Sequence, residues 1–145
     1  MEVSVFIENI QKAFGEKVQL PFAFWYSDKQ INDDLKKING CFFKEFEKLI
    51  GGEPISLSAD RIGCMGGKFI TGVSTMNEKM PMFVSSKEKY KKSSELVLDF
   101  VEKANVQITT RQYLNISPIT ELENFNNVVG IFFLATPDML SGLAS

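Results

Sequence analysis

The order of apolar and polar positions predicts helices and strands in alternation. Apolar residues recur at helical spacing from Val3 and stop before Gly15, so an amphipathic helix is expected over residues 3–14. The next apolar run, Pro21–Tyr26, is continuous and rich in aromatic side chains, which is typical of a strand buried on both faces. Residues 28–38 are polar and predict a short helix or a loop.

The middle of the chain continues this pattern. Apolar residues repeat at helical spacing over residues 41–50, and the following glycine pair is a natural left-handed end for that helix. Residues 54–59 alternate between apolar and polar and predict a strand. A methionine-containing stretch, residues 76–82, predicts a loop. Ser85–Glu88 then matches a capping box that would begin the next helix.

The last third predicts the remaining elements: a helix closing near Asn105, a strand over Tyr113–Ile119, a helical turn over Glu121–Phe125, a fully buried strand over Val128–Ala135, and a final helix capped by Thr136. Because helices and strands alternate, the predicted fold class is α/β in the broad sense (mixed α+β), a mixed sheet of about four strands with helices packed on it. No repeat or linker divides the chain, so residues 1–145 are predicted to form a single domain.

The composition fits one folded domain and excludes several partners. Hydrophobic residues make up 44% of 145, which is enough for a core. The net charge of -2 lacks the basic surplus of a nucleic-acid-binding face, and four lysines within residues 87–92 indicate a solvated face. No apolar stretch approaches the roughly 18–20 residues of a membrane span, and the N-terminus does not resemble a signal peptide. We therefore expect a cytoplasmic protein with no nucleic-acid or membrane partner.

The chain contains no histidine and two cysteines. The absence of histidine excludes Ser-His-Asp and Cys-His nucleophilic machinery and imidazole-based zinc sites. Acid–base chemistry would fall to carboxylates, lysine, tyrosine or a perturbed cysteine. Without export features, Cys41 and Cys64 are expected to be thiols rather than a disulfide.

The turn Gly63–Lys68 is the leading candidate site. Its three glycines, Gly63, Gly66 and Gly67, allow a tight turn that exposes backbone N–H groups, as in an anion-binding nest. A helix beginning there, together with the charges of Arg61 and Lys68, would favour the thiolate form of Cys64. That thiolate could be a nucleophile, a redox group or a metal ligand. The alternative is a crowded turn in which the cysteine fills a small apolar gap.

Cys41 and Asp138 complete the candidate site. Cys41 opens the second helix, although a cysteine is also readily buried beside a phenylalanine-rich face. Asp138 follows a predicted strand and is a candidate ligand-binding residue, with ordinary helix capping as the alternative. Cys41 and Cys64 are the candidate metal ligands. A tetrahedral site needs four ligands, so the others would come from a second subunit of a homo-oligomer or from residues beyond position 145.

Several segments carry a resemblance to one family. The most specific are Ala59–Gly67 and the stretch from Gly130 through Thr136-Pro137-Asp138 to Gly142; Pro21 with its strand, Cys41, Met80–Ser85 and Lys89–Ser93 add to them. The chain resembles the uncharacterised ArCR family of prokaryotes, domain of unknown function 169, from about residue 20 onward. The resemblance implies no established activity, and it places Cys41 and Cys64 in a recurring cysteine pattern.

The same resemblance implies that the chain is the N-terminal part of a longer family member. Similar proteins continue beyond Gly142 to a Gly-Ser-Gly-Cys-like segment, which would supply a third thiol. Ile116-Ser117-Pro118 departs from the family pattern, where a charged pair is expected. Any functional role of that strand is therefore not carried over from the family.

Three functions remain open from the sequence. The first is a cytoplasmic cysteine-based domain that binds a metal ion, an iron–sulfur centre or a small anionic ligand at the Gly63–Lys68 turn, with Cys41 and Cys64 close together near Gly66 and Asp138. The second is a thiol-dependent enzyme in which Cys64 is accessible and assisted by Lys68 or Asp60. The third is an interaction module with both thiols buried and apart and an exposed apolar patch.

Overall fold

The computed structural model describes residues 1–33 and 37–144. Helices and strands follow in the order α1 (Val3–Phe14), β1 (Phe22–Ser27), α2 (Phe46–Ile50), β2 (Ile55–Leu57), α3 (Met65–Ile70), α4 (Met80–Ser86), α5 (Ser94–Ala104), β3 (Tyr113–Pro118), β4 (Gly130–Phe132) and α6 (Pro137–Ala144). Short 3-10 turns precede α2 at Phe42–Glu45 and follow β3 at Ile119–Glu121. The predicted alternation of helices and strands is confirmed.

The four strands form one sheet in the order β2-β3-β1-β4. All three pairings among them are antiparallel, and the central pair aligns Phe22 with Pro118 and Ser27 with Tyr113. Outside the strands, Ile38 forms an isolated parallel bridge with Ile62. The mixed α/β class and the four strands are thus as predicted, although the strands pair antiparallel throughout this sheet rather than in a mixed arrangement. Residues 34–36 of the polar 28–38 segment lie outside the described residues.

Two helix boundaries differ from the prediction in the region after α3. Residues 80–82, predicted as part of a loop, instead begin α4, because Pro81 lies in the first turn, where a missing N–H costs nothing. Ser85 is therefore inside a helix and donates its hydroxyl to Pro81 O at 2.9 Å instead of opening the next helix. The cap of α5 is Ser93, whose Oγ accepts from Leu96 N at 3.4 Å.

The predicted fully buried strand over Val128–Ala135 is also wrong in extent. Only Gly130–Phe132 pair, and all three residues are half-buried because β4 lies at the edge of the sheet, next to β1 alone. Thr136 does cap α6 as predicted, accepting from Met139 N at 3.3 Å. The continuous apolar composition did not distinguish a central strand from an edge strand.

The core lies between the sheet and the segments that cross it. Its buried side chains come from β1, β2, β3 and the turns beside α2 and α3: Phe22, Ile38, Phe42, Leu49, Ile55, Leu57, Ile62, Leu114 and Ile116. Phe132 of β4 stacks on Phe22 with ring centroids 5.3 Å apart. None of the helices within the described residues has both the length and the apolar character needed to cross a bilayer.

A buried polar network ties the strands at the end of the sheet. Asn115 is completely buried; its amide oxygen accepts from Ser56 Oγ at 2.7 Å, and its amide nitrogen donates to Ser27 Oγ and Lys29 O, each at 2.9 Å. These bonds join β2, β3 and the chain leaving β1. Because every polar atom of the Asn115 side chain is satisfied, its burial is tolerated.

An ion pair at the same end of the sheet links the residue after β1 to the segment before β3. Arg111 Nη1 lies 2.6 Å from Asp28 Oδ2, and Gln112 N donates to Asp28 Oδ1 at 3.2 Å. The Arg111 hydrogen bond, then the backbone bond from Gln112, lower the pKa of Asp28 below its ordinary value of 3.8. This carboxylate therefore favours the folded state above its ordinary pKa.

We expect the contribution of the Asp28–Arg111 ion pair to the stability of the fold to disappear in acid. A folded-state pKa below the unfolded value means that the stabilisation is present above pH 3.8 and is lost as the pH falls through the lower, folded-state pKa. Asp28→Asn should lower the urea midpoint at pH 7, and the difference from the wild type should shrink below pH 3.8. Glu123→Gln, at an exposed carboxylate, is the control; a difference for Asp28→Asn that is independent of pH would contradict this account.

Candidate functional site

Cys64 lies at the N-cap of α3, where the sequence predicted a helix start. Its Sγ accepts a hydrogen bond from Gly67 N at 3.1 Å, and the side chain is half-buried. This bond satisfies one of the backbone N–H groups that are otherwise unpaired at the start of a helix. Gly66, two residues further along the same turn, is exposed and has open space around it, whereas Gly67 is buried.

The segment that contains Cys41 runs alongside this turn. Ile38 N donates to Arg61 O at 2.8 Å, and the parallel bridge pairs Ile38 with Ile62. The contact is close enough that a Cβ on Gly63 would collide with Ile38 O and lie 3.6 Å from Gly40 N.

A buried aromatic ring provides the second contact between the two segments. A Cβ on Gly67 would lie 2.6 Å from Cys64 Sγ and 2.8 Å from Phe42 Cδ1, so sulfur and ring border the same glycine. Phe42 directly follows Cys41, which is exposed. The backbone bridge and the Gly67 contact thus bring the Cys41 segment against the Cys64 turn, and both cysteines are free thiols.

The cation nearest in sequence to Cys64 has another partner. Arg61 is 4% exposed, and its Nη2 lies 2.6 Å from Glu45 Oε2. Lys48 pairs with the same carboxylate at 2.9 Å. Because its charge is balanced by Glu45, Arg61 supports a thiolate less than its place in the sequence suggested.

A different lysine belongs to the segment that contains Cys41. Lys44 Nζ is 3.7 Å from the position of a Cβ on Gly40, the residue before Cys41. Lys68, half-buried in α3, donates its backbone N–H to Cys64 O at 3.1 Å. The sequence singled out Lys68, whereas Lys44, which donates its backbone N–H to Cys41 O at 3.2 Å, was not a candidate.

Asp138 lies elsewhere in the fold. It is an exposed residue in the first turn of α6, and it lines a cleft of about 650 Å³ together with Phe14, Lys17, Thr136 and Met139. The lining of this cleft includes no residue of the Gly63–Lys68 turn. The structure thus brings the segment that contains Cys41 against the Gly63–Gly67 turn, and it assigns Asp138 to a separate surface feature.

A second cleft, of about 610 Å³, was not singled out by the sequence. Trp25, Asp28, Arg111 and Asn115 are among its lining residues. Tyr26, which also lines it, donates its hydroxyl to Thr71 O at 2.7 Å, and burial raises the pKa of that phenol. Asp28 and Arg111 in this cleft already pair with each other, so their charges are less available to a ligand.

The ligand count constrains any metal centre. Across residues 1–33 and 37–144, no three His, Cys, Asp or Glu side chains are grouped so that they could hold a metal ion. Cys41 and Cys64 would therefore supply two thiolates, and the remaining positions around the ion would be filled from outside this pair.

Comparison with known proteins gives one match. The model of a family described as uncharacterised ArCR, domain of unknown function 169, matches residues 12–145. No curated protein matches the chain. No solved structure matches it either.

Proposed function

The chain belongs to the uncharacterised ArCR family, and from that premise we propose that it is a cytoplasmic domain that binds a thiophilic metal centre through Cys41 and Cys64. The observation that supports this proposal is the contact of the two cysteine-bearing segments through the Ile38–Ile62 bridge and around Gly67. Two thiolates from adjacent loops suit zinc, copper(I) or an iron–sulfur centre, all of which prefer sulfur ligands.

The surroundings of the two sulfur atoms favour ligation. The Gly67 N–H already donates to Cys64 Sγ, which fixes the position of that sulfur atom at the start of α3. Lys44, whose Nζ would lie 3.7 Å from a Cβ on Gly40, adds a positive charge to the segment that contains Cys41. A cytoplasmic location agrees with two free thiols, since a reducing compartment keeps them available.

A small anionic ligand has less support at this site. The charge of Arg61 is balanced by Glu45, which leaves the turn with fewer cations than its sequence suggested. An interaction module with buried, separated thiols also fits less well, because Cys41 is exposed and its segment lies against the Cys64 turn.

A thiol-dependent enzyme is the second candidate. The observation that favours it is the hydrogen bond from Gly67 N to Cys64 Sγ, since the same bond would activate a nucleophile. In that case Cys41 would be dispensable, whereas a metal centre depends on both cysteines. The roles of the two residues therefore separate the two functions.

Metal binding is tested on protein purified without oxygen. We expect the wild type to take up Co²⁺ with a thiolate-to-metal charge-transfer band, and Cys41→Ser and Cys64→Ser each to weaken binding at least about tenfold. Elemental analysis and the visible spectrum of the protein as isolated then distinguish a single ion from an iron–sulfur centre. Met65→Leu, which removes a neighbouring sulfur and keeps the volume, should bind like the wild type.

Two results would reject the proposal. One is the absence of metal uptake by wild-type protein with both thiols reduced. The other is uptake that is unchanged in both cysteine variants. If Cys64 reacts rapidly with an alkylating reagent while no metal binds, and Cys41→Ser leaves that rate unchanged, the enzyme is favoured instead.

A further inference from the structure

The cleft of about 610 Å³ beside β1, called here the Trp25 cleft, is lined by the only tryptophan of the chain. Phe24 and Tyr26, its neighbours in β1, both pack against the core cluster. Because successive side chains of a strand point to opposite faces, the half-buried indole lies on the face of the sheet away from that cluster. The volume is in the range of small-molecule sites.

The Trp25 cleft is held in shape by contacts within the protein. Asn115, which is aligned with Trp25 across the β1–β3 pair, is completely buried, and every polar atom of its side chain is hydrogen-bonded. The Asp28–Arg111 ion pair joins the two chain segments that border the cleft. A ligand therefore meets a surface that is already organised, which lowers the entropic cost of binding.

Four other groups that line the Trp25 cleft are free of partners in the protein. The indole N–H of Trp25, the ammonium of Lys29 and the side-chain amides of Gln30 and Asn127 form no hydrogen bond or ion pair with any residue in 1–33 and 37–144. Asn127 enters the cleft from the turn before β4, where its φ of 67° is in the left-handed region that asparagine tolerates. These groups can bind a ligand without breaking a contact of the fold.

The chemistry of these free groups selects one class of ligand. An indole face stacks on a planar heterocycle. Carboxamides such as those of Gln30 and Asn127 pair with the donor and acceptor edge of a nucleobase, and a lysine ammonium binds a phosphate as a point charge. We propose that the Trp25 cleft binds a purine nucleoside monophosphate, with the base on Trp25 and the phosphate at Lys29. This site is separate from the cysteines.

Fluorescence tests the proposal directly, because Trp25 is the only indole in the chain. AMP should quench its emission saturably, with a dissociation constant below about 1 mM. Adenosine, which lacks the phosphate, should bind about two- to fivefold more weakly at low salt, since Lys29 is exposed. Inorganic phosphate, which lacks the base, should leave the emission unchanged. Added NaCl should reduce the difference between AMP and adenosine.

Isothermal titration calorimetry of three variants assigns the contacts. Trp25→Leu should weaken both AMP and adenosine at least about fivefold, because stacking is lost. Lys29→Gln should reduce the affinity for AMP to that for adenosine and leave adenosine unchanged. Lys17→Gln, which removes a lysine from the cleft of about 650 Å³, is the matched control and should bind both ligands like the wild type. Circular dichroism checks that each variant is folded.

Two further variants keep the test independent of folding and of the cysteines. Asn127→Gly removes the amide but permits the same positive φ, so it should weaken AMP and adenosine by equal factors without disturbing the turn. Cys64→Ser should bind AMP like the wild type. The nucleotide site and the metal site can therefore fail separately.

Three results would overturn the inference. The first is the absence of saturable AMP binding by fluorescence and calorimetry. The second is an affinity for AMP that is unchanged in Trp25→Leu or in Lys29→Gln. The third is quenching by tetramethylammonium but not by AMP, which would assign the indole face to a cationic ligand instead.

Discussion

Replacing Arg61 with methionine is expected to lower the free energy of unfolding by about 3–5 kcal/mol. The guanidinium is 4% exposed, pairs with Glu45 at 2.6 Å and donates to Ser56 O. Methionine fills a similar volume but leaves the Glu45 carboxylate, 13% exposed, without this partner. Lys48 also pairs with Glu45 but is 37% exposed, so it offsets only part of the loss.

Urea denaturation at pH 7 measures the loss in the free energy of unfolding. Two further variants show whether the loss arises from charge or from packing. Lys12→Met removes an exposed ion pair with Glu8 and should change stability by less than about 1 kcal/mol. Arg61→Met/Glu45→Leu removes both buried charges and should recover much of the loss, since the cost arises mainly from the carboxylate left behind. A double variant as unstable as Arg61→Met would show that packing, not charge, dominates at this position.

Gly63→Ala is expected to have the second large effect, on stability and on the cysteine site together. The added methyl group would collide with the backbone oxygen of Ile38, which cannot turn away as a side chain could. The segments containing Cys41 and Cys64 would have to separate, at a cost of about 1–3 kcal/mol or more. Affinity for Co²⁺ should fall with stability, although both thiols remain.

Gly66→Ala is the matched control for this change. It lies three residues further along the same turn, inside α3, and a Cβ there meets nothing within 4 Å. Alanine is the better helix former, so this variant should be stabilised by up to about 1 kcal/mol and should keep its metal affinity. Thermal unfolding and Co²⁺ titration of both variants give the comparison. If Gly63→Ala and Gly66→Ala changed stability and Co²⁺ affinity equally, the close approach of the Cys41 and Cys64 segments at Gly63 would be contradicted.

Local patterns were sufficient to predict most elements of the fold. Helix α1 ends at Gly15, whose φ of 92° suits glycine, and β1 coincides with the aromatic run after Pro21. Where the prediction failed, two local signals competed. Pro81 was taken as a loop signal but occupies a first helical turn, and the serine of an apparent capping box lies within α4.

The candidate site was predictable only in part. Glycine spacing and a helix start identified the Cys64 turn, because these are local features. The Arg61–Glu45 pair joins residues 16 positions apart, and the Ile38–Ile62 bridge joins segments still further apart, so no local pattern encodes either contact. Asp138 was added because loops after strands often bind ligands in α/β sheets, but β4 lies at the edge of the sheet, and Asp138 lines a separate cleft.

The strand order also has a consequence during synthesis. The centre of the sheet pairs Phe22 with Pro118, so β1 leaves the ribosome long before its neighbour β3 exists. At ordinary translation rates the interval is roughly 5–20 s, far longer than a helix needs to form. During this time the aromatic side chains of β1 have neither adjacent strand to cover them, since β4 follows later still. The nascent chain is therefore most exposed to misassociation at β1, and chaperone binding during translation is expected to concentrate there.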